Sequence, residues 1–268
     1  MIYGNEKKLK NFDRNTTSYF VMMDFDRTMT TKDSPGSWNV LENPEYMPKE
    51  LIEKSNALIQ QYYPYELNYS ITKEEKESYL KQWYYKNMNL LYEYHLTYPI
   101  LLKCVENSNI IFRDGLEDFL KQLYQDSIPV VILSAGIVNI IYELLKMHHC
   151  LYSNIKIISN FIDFDKDQKM LPYDKFMIHT SNKNFDLIEK QEQENLLKKD
   201  FILVFGDLIE DLNMLPIKSQ DKSICFGFLD KNIETNLSYY KNSFDIILSD
   251  NASFETVNTI LKSRKLKI

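Results

Sequence analysis

The stretch Phe20-Val21-Met22-Met23-Asp24-Phe25-Asp26-Arg27-Thr28 carries an apolar segment directly into an Asp-x-Asp-x-Thr motif. The apolar run, residues 19–25, predicts a buried β-strand, and alternation along a strand points Asp24 and Asp26 to the same side. Two carboxylates at the carboxyl end of a buried strand are costly unless a cation or a proton compensates them. A hard divalent ion such as Mg²⁺ lowers that cost and leaves a carboxylate able to attack phosphorus. The motif also arises by chance in roughly one chain in twenty of this length, so it needs support from elsewhere in the sequence.

A second predicted strand, residues 130–133, ends at Ser134-Ala135-Gly136 just before a helical pattern. A hydroxyl and main-chain N–H groups at a strand-to-helix turn bind phosphate oxygens well. A plain turn explains the same three residues, so this segment decides nothing by itself.

A third predicted strand, residues 201–205, is followed by Gly206-Asp207-Leu208-Ile209-Glu210-Asp211. Asp207 would complete the oxygen ligands of a cation, and Asp211 would hold metal-bound water or brace a lysine. Lys183 is the candidate lysine, because it lies between the second and third of these segments in the chain. The alternatives are an N-capping aspartate in a solvated acidic turn and an ordinary surface lysine.

Apolar runs rich in β-branched and aromatic residues alternate with helical patterns along the chain. The predicted strands are residues 19–25, 130–133, 155–158, 201–205, 224–228 and 244–248, and the helical patterns include 115–124, 137–147 and 186–198. This alternation predicts an α/β fold with a doubly wound, mostly parallel sheet. Residues 32–110 have helical patterns alone, at 48–62, 73–94 and 99–107. We therefore expect a catalytic core of residues 1–31 and 111–268 and a helical cap domain of residues 32–110, inserted after the first strand above the ligand-binding edge.

Composition narrows the class of protein. The 268 residues carry a net charge of -6, which argues against general nucleic-acid binding through basic patches. Three scattered cysteines, Cys104, Cys150 and Cys225, indicate reduced thiols in a cytoplasmic protein. The polar first 15 residues do not resemble a signal peptide, and the apolar stretch 128–145 contains Pro129, a serine, a glycine and an asparagine, so it is better interpreted as strand, turn and helix than as a membrane span. We expect a monomer that binds a small molecule, with no nucleic-acid or membrane partner.

Two other segments contain residues that are common metal ligands at suggestive spacings. Asp163, Asp165 and Asp167 have the initial spacing of a calcium loop, but Gln168 replaces its glycine and Asp174 its glutamate. We interpret residues 157–178 as a β-hairpin that turns around residues 166–169. The pair His148-His149 is interpreted as the surface end of a helix.

The order strand-DxDxT, strand-Ser, Lys, strand-GDxxxD resembles the haloacid dehalogenase superfamily of aspartate-based phosphatases. The resemblance implies that Asp24 is the nucleophile, and that Asp26 protonates the leaving oxygen and then activates water. Ser134, with the adjacent Ala135, and Lys183 would hold the phosphoryl oxygens. Asp207 would bind Mg²⁺ with Asp24 and the main-chain carbonyl of Asp26. Thr28 and Asp211 would contact these site residues and hold them in position without binding the substrate themselves.

The likeness becomes more specific in segments similar to the class III cytosolic 5'-nucleotidases, the pyrimidine 5'-nucleotidases. These segments are 62–66 (YYPYE), 72–76 (TKEEK), 82–84 (QWY), 127–130 (SIPV), 134–137 (SAGI), 159–165 (SNFIDFD) and 178–183 (IHTSNK). The similarity runs from about Phe20 to the C-terminus. It implies that Glu66 in the cap contacts the nucleobase and that Asn87 lies near the base, while Trp38 and Tyr84 are candidates for stacking on it.

This chain departs from that family at several positions. Leu208 and Glu210 stand where the family usually has Ser and Gly, Asn87 where it often has Ser, and Val138-Asn139 where it usually has Gly-Asp. None of these departures removes a catalytic group, but they bear on base preference.

The sequence therefore predicts a Mg²⁺-dependent 5'-nucleotidase that converts pyrimidine nucleoside 5'-monophosphates to nucleoside and phosphate through an aspartyl-phosphate. Passing the phosphoryl group to another nucleoside hydroxyl would be a side activity. The alternatives are a 7-methylguanosine-monophosphate nucleotidase, a small-metabolite phosphatase of the phosphoserine type, and a catalytically inactive nucleotide-binding module.

Overall fold

The computed structural model describes residues 1–4, 6–13, 17–66, 68, 70–217 and 219–266. Within these residues one sheet contains seven strands. In chain order they are β1 (Ile2–Gly4), β2 (Tyr19–Met23), β3 (Val130–Ile137), β4 (Ile155–Asn160), β5 (Phe201–Gly206), β6 (Ser223–Phe228) and β7 (Ile246–Leu248). Their order across the sheet is β1-β7-β6-β5-β2-β3-β4, and every pairing is parallel except that of β1 with β7. The predicted α/β fold with a mostly parallel sheet is confirmed.

The central strands are buried along their whole length because helices cover both faces of the sheet. Every residue of β2, β3 and β5 is buried. Alternate residues of β2 join different core clusters: Val21 and Met23 pack in one, and Phe20 and Met22 in the other. The sheet is therefore doubly wound.

The helices are α1 (Lys7–Asn11), α2 (Lys49–Glu66), α3 (Lys73–Glu93), α4 (Tyr98–Glu106), α5 (Leu116–Gln125), α6 (Val138–Met147), α7 (Lys190–Leu196), α8 (Ile233–Ser243) and α9 (Phe254–Ser263). Short 3₁₀ helices span Asn39–Glu42, Phe185–Leu187, Ile209–Met214 and Gln220–Lys222. In the part of the chain that the structure describes, no helix is long and apolar enough to cross a membrane.

Helices α2, α3 and α4 lie between β2 and β3, in residues 32–110, which we call the helical insertion. Thr30 forms an antiparallel bridge with Phe112, so the chain leaves the sheet region and returns to it at adjacent points. Pro64 lies inside α2, which continues beyond the predicted end at residue 62. Because α2 ends at Glu66, this side chain lies at the carboxyl end of a helix.

Several predicted boundaries were wrong. The N-terminal segment, for which no element was predicted, supplies β1 and α1, because an edge strand needs little apolar sequence to pair with β7. The pattern at 186–198 divides into a 3₁₀ turn and the shorter α7. The predicted hairpin at 157–178 is also wrong in its first part, because Ile157 and Ile158 pair with β3 in the parallel sheet. Its turn remains, with the N–H of Asp165 donating to the carbonyl of Lys169 at 2.9 Å.

Candidate active site

Three carboxylates converge at the carboxyl ends of two neighbouring strands. Asp24 follows β2 and Asp207 follows β5, while Asp211 lies in the 3₁₀ helix Ile209–Met214. The parallel register pairs Met23 with Phe205, which aligns the ends of the two strands. One carboxylate oxygen from each aspartate lies within 4.8 Å of the other two. Asp24 and Asp211 are buried and Asp207 is half-buried.

A buried lysine lies among these carboxylates. The Nζ of Lys183 lies 2.5 Å from Oδ1 of Asp24 and 2.5 Å from Oδ1 of Asp211. Burial lowers the pKa of Lys183, but Asp211 and Asp24 outweigh it, and the net pKa lies above its ordinary value. The lysine is therefore charged and held by two ion pairs, so it is not the surface lysine that was the alternative interpretation.

The negative charge of this cluster exceeds what Lys183 neutralises. Burial raises the pKa of Asp24 to about 7 against the opposing effect of Lys183, and the charges of Asp211 and Asp26 add to the rise. Burial, followed by the charge of Asp24, raises the pKa of Asp207 well above its ordinary value. Both shifts mean that the folded protein disfavours a full set of ionised carboxylates. A divalent cation with oxygen ligands relieves this charge, and the all-carboxylate donor set fits Mg²⁺ better than zinc.

Asp211 also shapes the loop that carries Asp207. Its Oδ2 accepts hydrogen bonds from the N–H groups of Asp207 at 2.9 Å and Leu208 at 3.0 Å. Gly206 is required here, because a Cβ at this position would lie 2.4 Å from the Asp211 carboxylate. Of the two predicted roles for Asp211, the geometry matches bracing the lysine.

The side chain of Asp26 is fixed differently and lies outside this carboxylate triad. Its Oδ1 accepts from the N–H of Ser37 and its Oδ2 from the hydroxyl of Ser37, each at 2.7 Å. Burial raises the pKa of Asp26, and the two hydrogen bonds from Ser37 oppose that rise. The side chain is therefore oriented by the helical insertion, and the main-chain oxygen is the atom of Asp26 that remains as a candidate cation ligand.

The serine segment belongs to a strand that is longer than predicted. β3 continues through Ser134 to Ile137 because its pairing with β4 shifts register between Leu133 and Ile137, which lets the strand continue where a turn was predicted. The hydroxyl of Ser134 accepts from the N–H of Gly136 at 3.0 Å. A Cβ on Gly136 would lie 2.1 Å from the Ser37 hydroxyl oxygen, so only glycine fits between the two serines.

The predicted site residues line a single cavity of about 370 Å³ between the sheet edge and the helical insertion. The residues are Asp24, Asp26, Trp38, Glu66, Tyr84, Asn87, Ser134, Ala135, Lys183 and Asp207. Asp211 contributes through Lys183, and Thr28 is fully buried and does not line the cavity. The cavity joins a charged end at the carboxylates to an aromatic end in the insertion.

The aromatic end is held in place by hydrogen bonds with residues outside the insertion. Trp38 and Tyr84 meet edge to face with ring centroids 5.4 Å apart. The indole N–H of Trp38 donates to the carbonyl of Ala135 at 3.0 Å. The hydroxyl of Thr180 donates to Oε1 of Glu66 at 3.0 Å. Burial raises the pKa of Glu66, and the hydrogen bond from Thr180 partly opposes this rise.

Three important residues were missed in the sequence analysis. Ser37 orients Asp26 and Thr180 orients Glu66, and the sequence around neither residue predicts this role. Arg113 is 2% exposed, and its guanidinium donates to the main-chain oxygens of Thr28 at 3.0 Å and Arg27 at 2.5 Å. It therefore fixes the turn after Asp26, where Arg27 has a positive φ of 61°. A single arginine 86 residues away gives no sequence signal for this contact.

The aspartates of residues 163–167 and His148, the other potential metal ligands in the sequence, contact main-chain groups or charged side chains. Oδ1 of Asp165 accepts from the N–H groups of Asp167 and Lys169, both at 2.9 Å, so this side chain stabilises a turn. Asp163 forms an ion pair with Lys175. His148 lies 2.8 Å from Glu117 at the end of α6. Among the described residues, the only cluster with metal-ligand spacing is the aspartate triad.

The mostly parallel sheet and the helical insertion give this chain the fold of the haloacid dehalogenase-type phosphatases. A substrate-bound phosphoserine phosphatase has the same fold, with a TM-score of 0.58 and 16% identity over 93% of this chain and all of the other (100%). The family model for pyrimidine 5'-nucleotidases, UMPH-1, matches residues 22–265. The chain belongs to this 5'-nucleotidase family.

Two relatives extend this result. The human 7-methylguanosine phosphate-specific 5'-nucleotidase is 31% identical over 249 residues, which cover 90% of this chain and 83% of that protein. The crystal structure of cytosolic 5'-nucleotidase IIIB bound to cytidine superposes with a TM-score of 0.86 and 24% identity, over 98% of this chain and 93% of that one. The predicted family and the predicted enzyme class, a phosphoric monoester hydrolase, are confirmed.

Proposed function

We propose that this protein hydrolyses nucleoside 5'-monophosphates to nucleoside and phosphate, with Asp24 as the nucleophile. The observation that carries the proposal is the contact of buried Asp24 with Lys183 at one end of a cavity whose other end holds Trp38, Tyr84 and Glu66. The charged end suits a phosphate monoester, and the aromatic end suits a planar base.

The reaction then has two steps. A carboxylate oxygen of Asp24 forms a bond to phosphorus while the bond to the 5'-oxygen breaks, and Asp26 gives its proton to that leaving oxygen. Asp26 next takes a proton from water, whose oxygen attacks the aspartyl-phosphate and releases phosphate and Asp24. Lys183 and Ser134 hold the phosphoryl oxygens, and the hydrogen bonds from Ser37 keep Asp26 in position. Transfer to a nucleoside hydroxyl in place of water would give the phosphotransferase side activity.

The proposed cofactor is Mg²⁺, held by Asp24, Asp207 and the main-chain carbonyl of Asp26. When bound, it would supply positive charge against the oxygens of the transferring phosphoryl group. The raised pKa values of Asp24 and Asp207 support this assignment, because an uncompensated carboxylate cluster is costly.

Glu66 is the proposed contact of the base, with Asn87 beside it and with Trp38 and Tyr84 as stacking surfaces. The Thr180 hydroxyl orients the Glu66 carboxylate at 3.0 Å. A carboxylate accepts from the amino group of cytosine, and pyrimidine nucleotides remain the first proposed substrates.

A second candidate substrate is 7-methylguanosine monophosphate. The human relative is named for this nucleotide. A second carboxylate, that of Glu42, also lines the cavity, where it accepts from Asn39 at 2.8 Å and from Ser55 at 2.5 Å. Two carboxylates near one base favour the positively charged 7-methylguanine.

The helical insertion is the proposed cap domain, residues 32–110, over a core of residues 1–31 and 111–268. The bridge between Thr30 and Phe112 supports this division, because few residues cross at that point. The three cysteines, each buried and free, support the proposed cytoplasmic location.

One experiment tests the proposal: phosphate release from CMP, UMP, AMP, GMP, 7-methyl-GMP and phosphoserine, each with Mg²⁺ and with EDTA. We expect turnover of CMP or 7-methyl-GMP with Mg²⁺ and none with EDTA. Turnover of phosphoserine alone would overturn the substrate class, and undiminished turnover in EDTA would overturn the metal.

A further inference from the structure

A buried lysine joins the helical insertion to the loop of the carboxylates. Lys76 lies in the first turn of α3, and its Nζ donates to the main-chain carbonyl of Glu66 at 2.8 Å and to Oε1 of Glu210 at 2.9 Å. The side chains of Lys76 and Glu210 are 8% and 17% exposed. The pair is thus largely withdrawn from water, where an ion pair is screened little and depends on both partners.

The position of Lys76 has a physical reason. Glu66 ends α2, and the last carbonyls of a helix lack partners within it, so a lysine ammonium satisfies one of them. A cation in the first turn of a helix meets the positive end of its own dipole, which Glu210 offsets. Lys73 and Glu77, on the same helix, form an exposed pair at 3.8 Å.

The contacts continue in both directions. Glu66 is held through its carbonyl by Lys76 and through its carboxylate by Thr180. Glu210 precedes Asp211, which contacts Lys183, which contacts Asp24. Polar contacts, together with the peptide bond between Glu210 and Asp211, therefore connect the proposed base contact to the proposed nucleophile.

We propose that Lys76 and Glu210 are positioning residues that set Glu66 relative to the loop of Asp207 and Asp211, so that substrates with a base are favoured over those without one. This inference rests on the proposed nucleotidase function.

The test compares Glu210→Gln, Lys76→Met, the double variant and Lys76→Arg with wild type. Glu77→Gln, in the exposed pair of the same helix, is the matched control. We would measure kcat and KM for the nucleotide that wild type hydrolyses fastest and for p-nitrophenyl phosphate, together with Tm.

We expect Glu210→Gln and Lys76→Met to lower nucleotide kcat/KM roughly tenfold, mainly through KM, with p-nitrophenyl phosphate changed less than about twofold. The double variant should have a nucleotide kcat/KM no lower than that of the less active single variant, because both substitutions break the same ion pair. Lys76→Arg should retain most activity, and Glu77→Gln should match wild type. Equal losses of activity on both substrates, or no loss on either, would overturn the inference. The ion pair would then serve only to stabilise the fold.

Hydrogen exchange makes the result independent of the substrate. Lys76→Met should speed exchange of the Tyr65 and Glu66 amides relative to the strands of the sheet. Unchanged exchange overturns the positioning role whatever the substrate is. Conversely, wild type that hydrolyses p-nitrophenyl phosphate and no nucleotide would contradict the proposed function, even if exchange at the end of α2 responds as expected.

Discussion

The ammonium of Lys183 lies 2.5 Å from the carboxylate of Asp24, although 159 residues separate them in the chain. Both side chains are almost completely buried, and Asp211 contacts the lysine from its other side. An ion pair at this depth fixes the orientation of the carboxylate, which is what an in-line attack on phosphorus requires. The predictions below test what this arrangement does.

Replacing Asp24 by Asn should abolish turnover while the fold remains intact. An amide cannot form the acyl-phosphate, so phosphate release should fall by more than roughly a thousandfold. Circular dichroism should match wild type. Asp118→Asn, on the exposed face of α5, is the matched control and should keep full activity. Near-wild-type turnover of Asp24→Asn would exclude Asp24 as the nucleophile.

Stabilisation by Mg²⁺ should depend on pH. Burial raises the pKa of Asp24 from its ordinary 3.8 to about 7, so between these values the folded protein binds more protons than the unfolded chain. Without metal, this group therefore stabilises the fold most at low pH, and its contribution falls as pH rises through about 7.

Because a cation binds the ionised carboxylate, Mg²⁺ should raise Tm more at pH 8 than at pH 5.5. Differential scanning fluorimetry at the two pH values measures this directly. Asp207→Asn should remove most of the shift at pH 8. An equal shift at both pH values, or one that survives Asp207→Asn, would place the metal elsewhere.

Replacing Ser37 by Ala should slow the reaction without altering the nucleophile. The variant removes the hydroxyl that donates to Asp26 at 2.7 Å and leaves the main-chain donor in place. Losing a hydrogen bond to a charged group costs about 1.5–3 kcal/mol, so kcat should fall roughly tenfold or more. Steady-state kinetics with CMP measures the loss, and Ser78→Ala, exposed on α3, is the control. Unchanged kcat in Ser37→Ala would show that this hydrogen bond does not matter to Asp26.

Replacing Glu66 by Gln should separate nucleotides from base-free substrates. The loss of a hydrogen bond to a charged acceptor, about 1.5–3 kcal/mol, corresponds to a loss of roughly ten- to a hundredfold in kcat/KM for CMP. Hydrolysis of p-nitrophenyl phosphate should hardly change. If both substrates lose activity equally, Glu66 supports the fold and does not contact the base.

Local sequence patterns were sufficient to predict six of the seven described strands and the acidic end of the site. Apolar runs such as residues 201–205 form strands wherever both faces are covered, and a carboxylate that follows such a run lies at the strand end. For this reason the sequence alone predicts that Asp24 and Asp207 lie together, and the helical pattern of residues 32–110 predicts the insertion. Pro64 and the register shift in β3 show where such patterns fail, since neighbouring structure determined the length of α2 and β3.

Only the tertiary structure decided which partners orient these groups. Ser37 on Asp26, Thr180 on Glu66 and Lys76 on Glu210 are contacts between the insertion and the rest of the chain, the last two spanning 114 and 134 residues. The chain order alone suggested Lys183, and its two carboxylate partners appeared only in the fold. Secondary structure follows from the periodicity of neighbouring residues. These contacts depend instead on how the insertion packs over the edge of the sheet, which no local pattern encodes.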